Sequence, residues 1–369
     1  MRPASPPDLR RGSPIPRISA DRGQPPAAPL DGRHFDGRHW GKVLARYREP
    51  RHVRSVLELL VTAVPFFVLW AFMVVCLERG YWFGLVLAVP AAGFLVRLFM
   101  IQHDCGHDSF FRNRLANNLV GRVIGVLTLT PYDYWRRTHA MHHATSGNLD
   151  RRGMGDVPTL TVIEYLGLSR WRRAAYRLSR NPLILLGLGP IYIFLLKHRL
   201  PAELMDGGKG VWISAMATNL AIAGAVVGAS MLVGVQTFLL IQLPITLLAS
   251  SIGIWLFYVQ HQFEHTYWAC EGDWSFHKGA IHGSTHYDLP APLRWFTANI
   301  GIHHVHHLAS RIPSYRLSEV LKDHPQLREV GRLTLRQSLG CFRLALWDEE
   351  ARRLVPVREL RARGRAATP

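Results

Sequence analysis

Four stretches of the chain, about 55 to 77, 80 to 101, 210 to 233 and 236 to 258, are apolar over the roughly 20 residues that a helix needs to cross a bilayer. The first of them reads SVLELLVTAVPFFVLWAFMVVCL and carries a single charge, Glu58. In hydrocarbon such a segment must pair its backbone groups internally, so helix is the expected state. The first two runs are separated by little more than Glu78 and Arg79, and the last two by Gly234 and Val235, which predicts two tight helical hairpins. No strand-rich block and no solenoid-type repeat is evident, so the fold class expected is an all-α integral membrane protein with a cytosolic helical cap.

The formal net charge is +18. Nucleic-acid binding is disfavoured, because the arginines are spread over tails and loops and are not interleaved with aromatics on one face. Their distribution fits orientation instead: the hairpin tips are almost free of Lys and Arg, whereas residues before 50, from 102 to 209 and after 259 hold nearly all of them. Those three regions are expected on one side, the cytosolic face of a bacterial inner membrane. Cys76, Cys105, Cys270 and Cys341 show no framework spacing and read as free thiols on a reducing side.

Two shorter apolar runs need separate treatment. PLILLGLGPIYIFLLK, 182 to 197, contains Gly187, Gly189 and Pro190 and is flanked by Arg180, Lys197 and Arg199, so it is expected in the interface or as a buried re-entrant helix. Residues 119 to 130 are too few to cross and stop at Pro131. Residues 1–50, rich in Pro, Gly and Arg and lacking an apolar signal core, are expected to form a disordered basic tail. A membrane domain is expected over 51–330 and a basic cytosolic tail over 331–369.

The nineteen histidines are not evenly placed. HDCGH supplies His103 and His107, HAMHH supplies His139, His142 and His143, and HHVHH supplies His303, His306 and His307 with His304 between; VQHQFEH adds His261 and His265. Residues three or four apart on a helix share a face, so this spacing builds a chelating surface. A lone histidine is ordinarily a satisfied polar residue; three dense clusters and a pair on one side of the membrane point to metal.

His103 and His107 begin two residues after the second run, and His261 and His265 about three residues after the fourth. If those helices continue, each carries an i, i+4 pair at the same face. Two pairs and two triplets make ten imidazoles, suited to two ions of five nitrogens each. Imidazole accepts zinc, copper, iron or nickel. A closed structural zinc site would normally use four ligands, often with thiolate, and bis-histidine haem would need ligands within the bilayer. A two-iron, oxygen-activating centre fits best.

These segments resemble a known group. HDCGHDSFF, PYDYWRRTHAMHHATSGNLDRRGMGDVPTLTVIEY, WLFYVQHQFEHTYW and LRWFTANIGIHHVHHLASRIPSYRL look like signatures of the membrane-bound fatty acid desaturases with three histidine boxes, and of their acyl-lipid Δ12 (omega-6) branch. The likeness runs from about residue 50 to 330. It implies an O2-dependent desaturase with two iron ions held by His103, His107, His139, His142, His143, His303, His306 and His307, helped by His261 and His265. His303 restores the HxxHH spacing, leaving His304 as its variable position. His34, His39, His52, His198, His277, His282, His286, His304 and His324 are bystanders by default. Carboxylates near the boxes, Asp104, Asp150 and Glu264 foremost, with Asp108 and Asp156, are candidates to accept the second N–H of ligand rings.

The resemblance further implies a long-chain acyl lipid substrate and an external electron donor, ferredoxin or a cytochrome b5-like carrier, since neither tail contains an HPGG segment. Because the same ligand cage resembles that of hydroxylases and carotenoid ketolases, oxygen insertion is the alternative chemistry. A metal transporter, from another class, would place its ligands near the bilayer midplane.

Overall fold

The computed structural model describes residues 37–360, and its four longest helices coincide with the four apolar runs. Helix α1 (Gly37–Ala45) precedes α2 (His52–Glu78), and a 3-10 segment (Trp82–Leu87) leads into α3 (Ala88–Gly106). Then come α4 (Arg114–Leu127), α5 (Tyr132–Thr145), α6 (Val162–Gly167), α7 (Arg170–Ser179), α8 (Lys209–Val233) and α9 (Val235–His261). The last third holds α10 (Phe276–His282), α11 (Ala291–Phe296), α12 (His303–Leu308) and α13 (Ser314–Asp323). The candidate spans, His52–Glu78, Trp82–Gly106, Lys209–Val233 and Val235–His261, therefore include the second and fourth helices prolonged beyond their apolar runs.

Helix α3 is the hub: it packs on α2, α4, α5 and α9. Its small residues Ala88, Ala91 and Ala92 are buried, which lets neighbouring backbones approach closely. A β-carbon on Gly93 would lie 2.8 Å from the Phe296 ring, so the helix also admits α11 against it. One buried ionic cluster interrupts this apolar packing. Arg97 pairs with Glu58, its Nε donates to Thr62 Oγ1 at 3.2 Å, and its guanidinium bonds the Trp295 carbonyl and lies 4.1 Å from the Trp295 ring. A charge at this position persists only when partnered.

Segment Ile184–Arg199 meets α7 at 66°, the geometry of a broken span or re-entrant loop, and packs along α9, where Ser251 Oγ donates to Leu186 O at 2.6 Å.

Three expectations need amendment. The fold is not purely helical, because β1 (Leu160–Thr161) pairs in parallel with β4 (Leu346–Asp348), which pairs antiparallel with β5 (Arg353–Val355). A second small sheet joins β2 (His286–Asp288) in parallel to β3 (Arg332–Thr334). The boundary expected at 50 falls within packed structure: Trp40, Leu44 and Tyr47 of the N-terminal segment are buried in one cluster with Val305, Leu308, Leu317 and Val320. The boundary at 330 does likewise, since β3, β4 and β5 lie beyond it and Leu346, Leu354 and Val355 are fully buried. The rest of the two expected tails, 1–36 and 361–369, lies outside the described residues.

Candidate metal centre

Four helices deliver the histidines. The end of α3 carries His103, with His107 as its C-cap; α5 carries His139, His142 and His143; α9 ends on His261; and α12 carries His303, His306 and His307. Helix α5 starts directly after Pro131, and the short α12 is set by the backbone, the Thr285 carbonyl receiving the N–H groups of His303 and His304.

The nine rings fall into two groups, in each of which one nitrogen per ring lies within 4.8 Å of all the others: His103, His107, His139, His143 and His306; and His142, His261, His303 and His307. Helical geometry explains the partition. Positions i and i+4 differ by about 40° around the axis, whereas i+3 lies about 100° from i+4. Within α5 the pair His139/His143 faces the first group and His142 turns to the second; within α12 the pair His303/His307 faces the second and His306 the first. Each triplet therefore serves both groups, in opposite proportion. The result is five and four nitrogens, where five and five were expected.

Contacts inside the groups run between Nε2 atoms. In the first, His139 faces His107, His143 faces His139 and His306 faces His143, each at 3.1 Å. In the second, His142 faces His261 at 3.2 Å, His261 faces His303 at 3.0 Å and His307 faces His303 at 3.1 Å.

The partners of the outer nitrogens decide what three of the rings present to the groups. His142 Nδ1 lies 2.5 Å from Asp156 Oδ1, His261 Nδ1 3.0 Å from the Gly283 carbonyl and His103 Nδ1 3.3 Å from Asp104 Oδ1. All three partners are acceptors, so each of these rings in its neutral form carries its proton on Nδ1 and presents a bare lone pair at Nε2. Lone pairs facing one another at 3 Å repel unless a cation stands among them. Nitrogens ~2.1 Å from a shared ion are themselves ~3.0–3.4 Å apart, which is the spacing found here. The donor set thus fits two metal ions.

Burial, with neighbouring imidazoles adding to it, holds the pKa of His107, His139, His143, His303, His306 and His307 well below the ordinary histidine value. Neutral rings are the form that binds metal. Aromatic side chains close the surroundings: Trp135 stacks on His139 at 4.6 Å, and Phe257 lies 5.1 Å from His142 and 5.2 Å from His261.

Not every expected residue arrives. His265 is exposed and joins neither group, because α9 stops at His261 and does not continue the i, i+4 face. The chain beyond is captured elsewhere: Gln262 is held by Arg180 and Thr159, and the Glu264 carbonyl accepts from Leu354 N–H. Glu264 itself is exposed and pairs with Arg353, Asp150 accepts from the Glu271 backbone N–H, and Asp108 pairs with Arg136; none of the three touches a clustered ring. Asp104 does, and its other oxygen accepts from Ser314 N–H at 2.7 Å, tying α3 to α13.

Among the remaining described histidines none joins either group. His304 and His286 direct a ring nitrogen to the carbonyls of Leu327 and Arg328. His34 lies outside the described residues. The Gly283 and Thr285 carbonyls were not foreseen, and a backbone acceptor leaves no mark in residue identity.

Known proteins bear out the likeness. A family profile described as "Fatty acid desaturase" matches residues 80–338. A Bacillus subtilis protein named "Fatty acid desaturase" is 44% identical over 320 residues, 87% of this chain and 90% of its own length. Two Synechocystis proteins are more distant: an "sn-1 acyl-lipid omega-3 desaturase (ferredoxin)", 29% identical over 68% of this chain and 70% of its own, and an "sn-1 oleoyl-lipid 12-desaturase", 27% identical over 60% and 63%.

Proposed function

The chain belongs to the fatty acid desaturase family, whose members are oxidoreductases acting on fatty acyl chains, and on that premise we propose that it inserts a cis double bond into a long acyl chain of a membrane lipid, using O2 and an external electron donor. The observation that carries this reading is the meeting of nine imidazoles from four helices in two groups, at the membrane-proximal ends of two candidate spans.

We assign two iron ions to the groups, one to His103, His107, His139, His143 and His306 and the other to His142, His261, His303 and His307. The smaller group would supply its ion with one protein nitrogen fewer. Iron there would supply the redox chemistry that an unactivated methylene requires, because such a carbon offers nothing to an acid or a base.

The protein's own part is positional. Asp104 and Asp156 hold the rings of His103 and His142 in the tautomer that exposes Nε2. Trp135 and Phe257 present apolar surface beside the groups, against which an acyl chain can lie while water is kept away. A shift of the chain by one methylene would change the bond attacked, so these contacts also bear on regioselectivity.

We place the histidine face, with the tails, on the cytosolic side of a bacterial plasma membrane, supported by the distribution of Lys and Arg. Likeness to the oleoyl-lipid 12-desaturase supports a Δ12/omega-6 position, and the ferredoxin in the name of the omega-3 relative supports a ferredoxin or cytochrome b5-like donor. Expression in a host lacking polyunsaturated lipids, followed by double-bond mapping, tests the reading: a new cis alkene at Δ12 is expected. An alcohol or ketone product would replace desaturation with oxygen insertion, and an alkene elsewhere would overturn the position.

A further inference from the structure

Helix α7, RWRRAAYRLS, has a charge pattern that the metal centre does not use. No carboxylate occurs between Glu164 and Glu203, a stretch that holds Arg170, Arg172, Arg173, Arg177, Arg180, Lys197 and Arg199. Arg173 and Arg177 brace the helix on α6, bonding the carbonyls of Leu166 and Leu168 and the Tyr165 hydroxyl. Arg170 and Arg172 are exposed, and among the described residues no carboxylate pairs with either. Arg170, Arg173 and Arg177 line one side of a surface concavity together with Trp171, which is 86% exposed.

The chain leaving α7 turns by 66° into the apolar segment that packs along α9, about ten residues short of its His261 end. Since α9 is a candidate span, α7 stands where the chain enters the membrane. An indole and unpaired guanidiniums beside an entering apolar segment are the composition of a headgroup layer, where Trp is wedged among glycerol groups and Arg meets phosphate. The geometry points to α7 as a binding surface for anionic glycerophospholipid headgroups, with Arg170 and Arg172 meeting the phosphates and Trp171 inserted beside them. An acidic soluble protein is the other partner such charge could draw, but it would leave Trp171 and the exposed Leu178 and Leu183 unexplained.

The test uses the full chain reconstituted in nanodiscs of phosphatidylcholine containing either phosphatidylglycerol or further phosphatidylcholine, the added lipid brominated near its glycerol. The Trp171 signal is the difference in tryptophan quenching between the wild type and Trp171→Phe. Quenching several-fold stronger with brominated phosphatidylglycerol is expected, falling to the phosphatidylcholine level in an Arg170→Gln/Arg172→Gln variant. Equal quenching by the two lipids, no Trp171 signal with either, or a preference that survives the double substitution would each overturn the proposal. So would an Arg170→Gln/Arg172→Gln variant that keeps the headgroup preference and loses only its coupling to an acidic redox protein, which would assign the surface to that partner.

Discussion

Nδ1 of His142 and Oδ1 of Asp156 stand 2.5 Å apart between two buried side chains, while the far nitrogen of the same ring faces His261. A carboxylate so placed fixes the imidazole's tautomer and raises its basicity as a ligand. Asp156→Ala should therefore weaken metal binding in the four-histidine group about 10–100-fold. Iron retained against increasing chelator is the readout; retention equal to wild type would remove Asp156 from the ligand-orienting role.

The partition of the rings makes a prediction about stoichiometry. His303→Ala and His306→Ala deplete different groups, so each should lower bound iron from about two to about one per chain and abolish turnover, since neither ion can do the other's work. His265→Ala should leave both quantities near wild type. Iron analysis beside product formation decides this, and a His265 variant without iron would restore that residue to the ligand set.

Acid should disarm the centre before it unfolds the rest. An unfolded histidine titrates near 6.5, whereas burial lowers the folded values of His143, His303, His306 and His307. Between the two values the unfolded chain binds more protons, so metal-free protein loses stability as pH falls below about 6.5 and gains nothing further well above it. Thermal melts of chelator-stripped protein across pH 5 to 8 measure this. A melting temperature that is flat, or that rises toward acid, would contradict neutral buried rings.

Much of the centre was legible because its signal is spacing. Two clusters at i, i+3 and i+4 and one at i, i+4 predict a chelating face on each segment from helical geometry, and all eight box histidines arrive. What failed depended on where helices stop. His265 lies four residues after His261, yet α9 ends between them, where tertiary bonds to Gln262 and Glu264 replace the next turn. Asp150 and Glu264 were favoured for nearness in sequence, but Asp156, fourteen residues from His142, makes the contact. In the N-terminal segment the Pro, Gly and Arg content pointed to a tail, and the buried Trp40, Leu44 and Tyr47 were not singled out.

The buried pair within the spans should be sensitive to the loss of one partner. Arg97→Met strips Glu58 of its buried cation and frees the Trp295 carbonyl, at a cost of about 3 kcal/mol. Arg54, 2.6 Å from the other oxygen of Glu58, limits the damage. Removing both charges, in Glu58→Met/Arg97→Met, should recover part of the loss. Thermal stability in detergent reports it, and a double variant worse than the sum of the singles would show that the pair is not the stabilising unit.

The central claim is that two groups of imidazoles, five and four, each hold an iron ion. Mössbauer spectra and metal analysis of purified, active protein enriched in 57Fe test it most directly. Two irons per chain in two distinguishable nitrogen-rich environments are predicted. Full activity from protein with one iron or none, or with zinc in its place, would contradict the account.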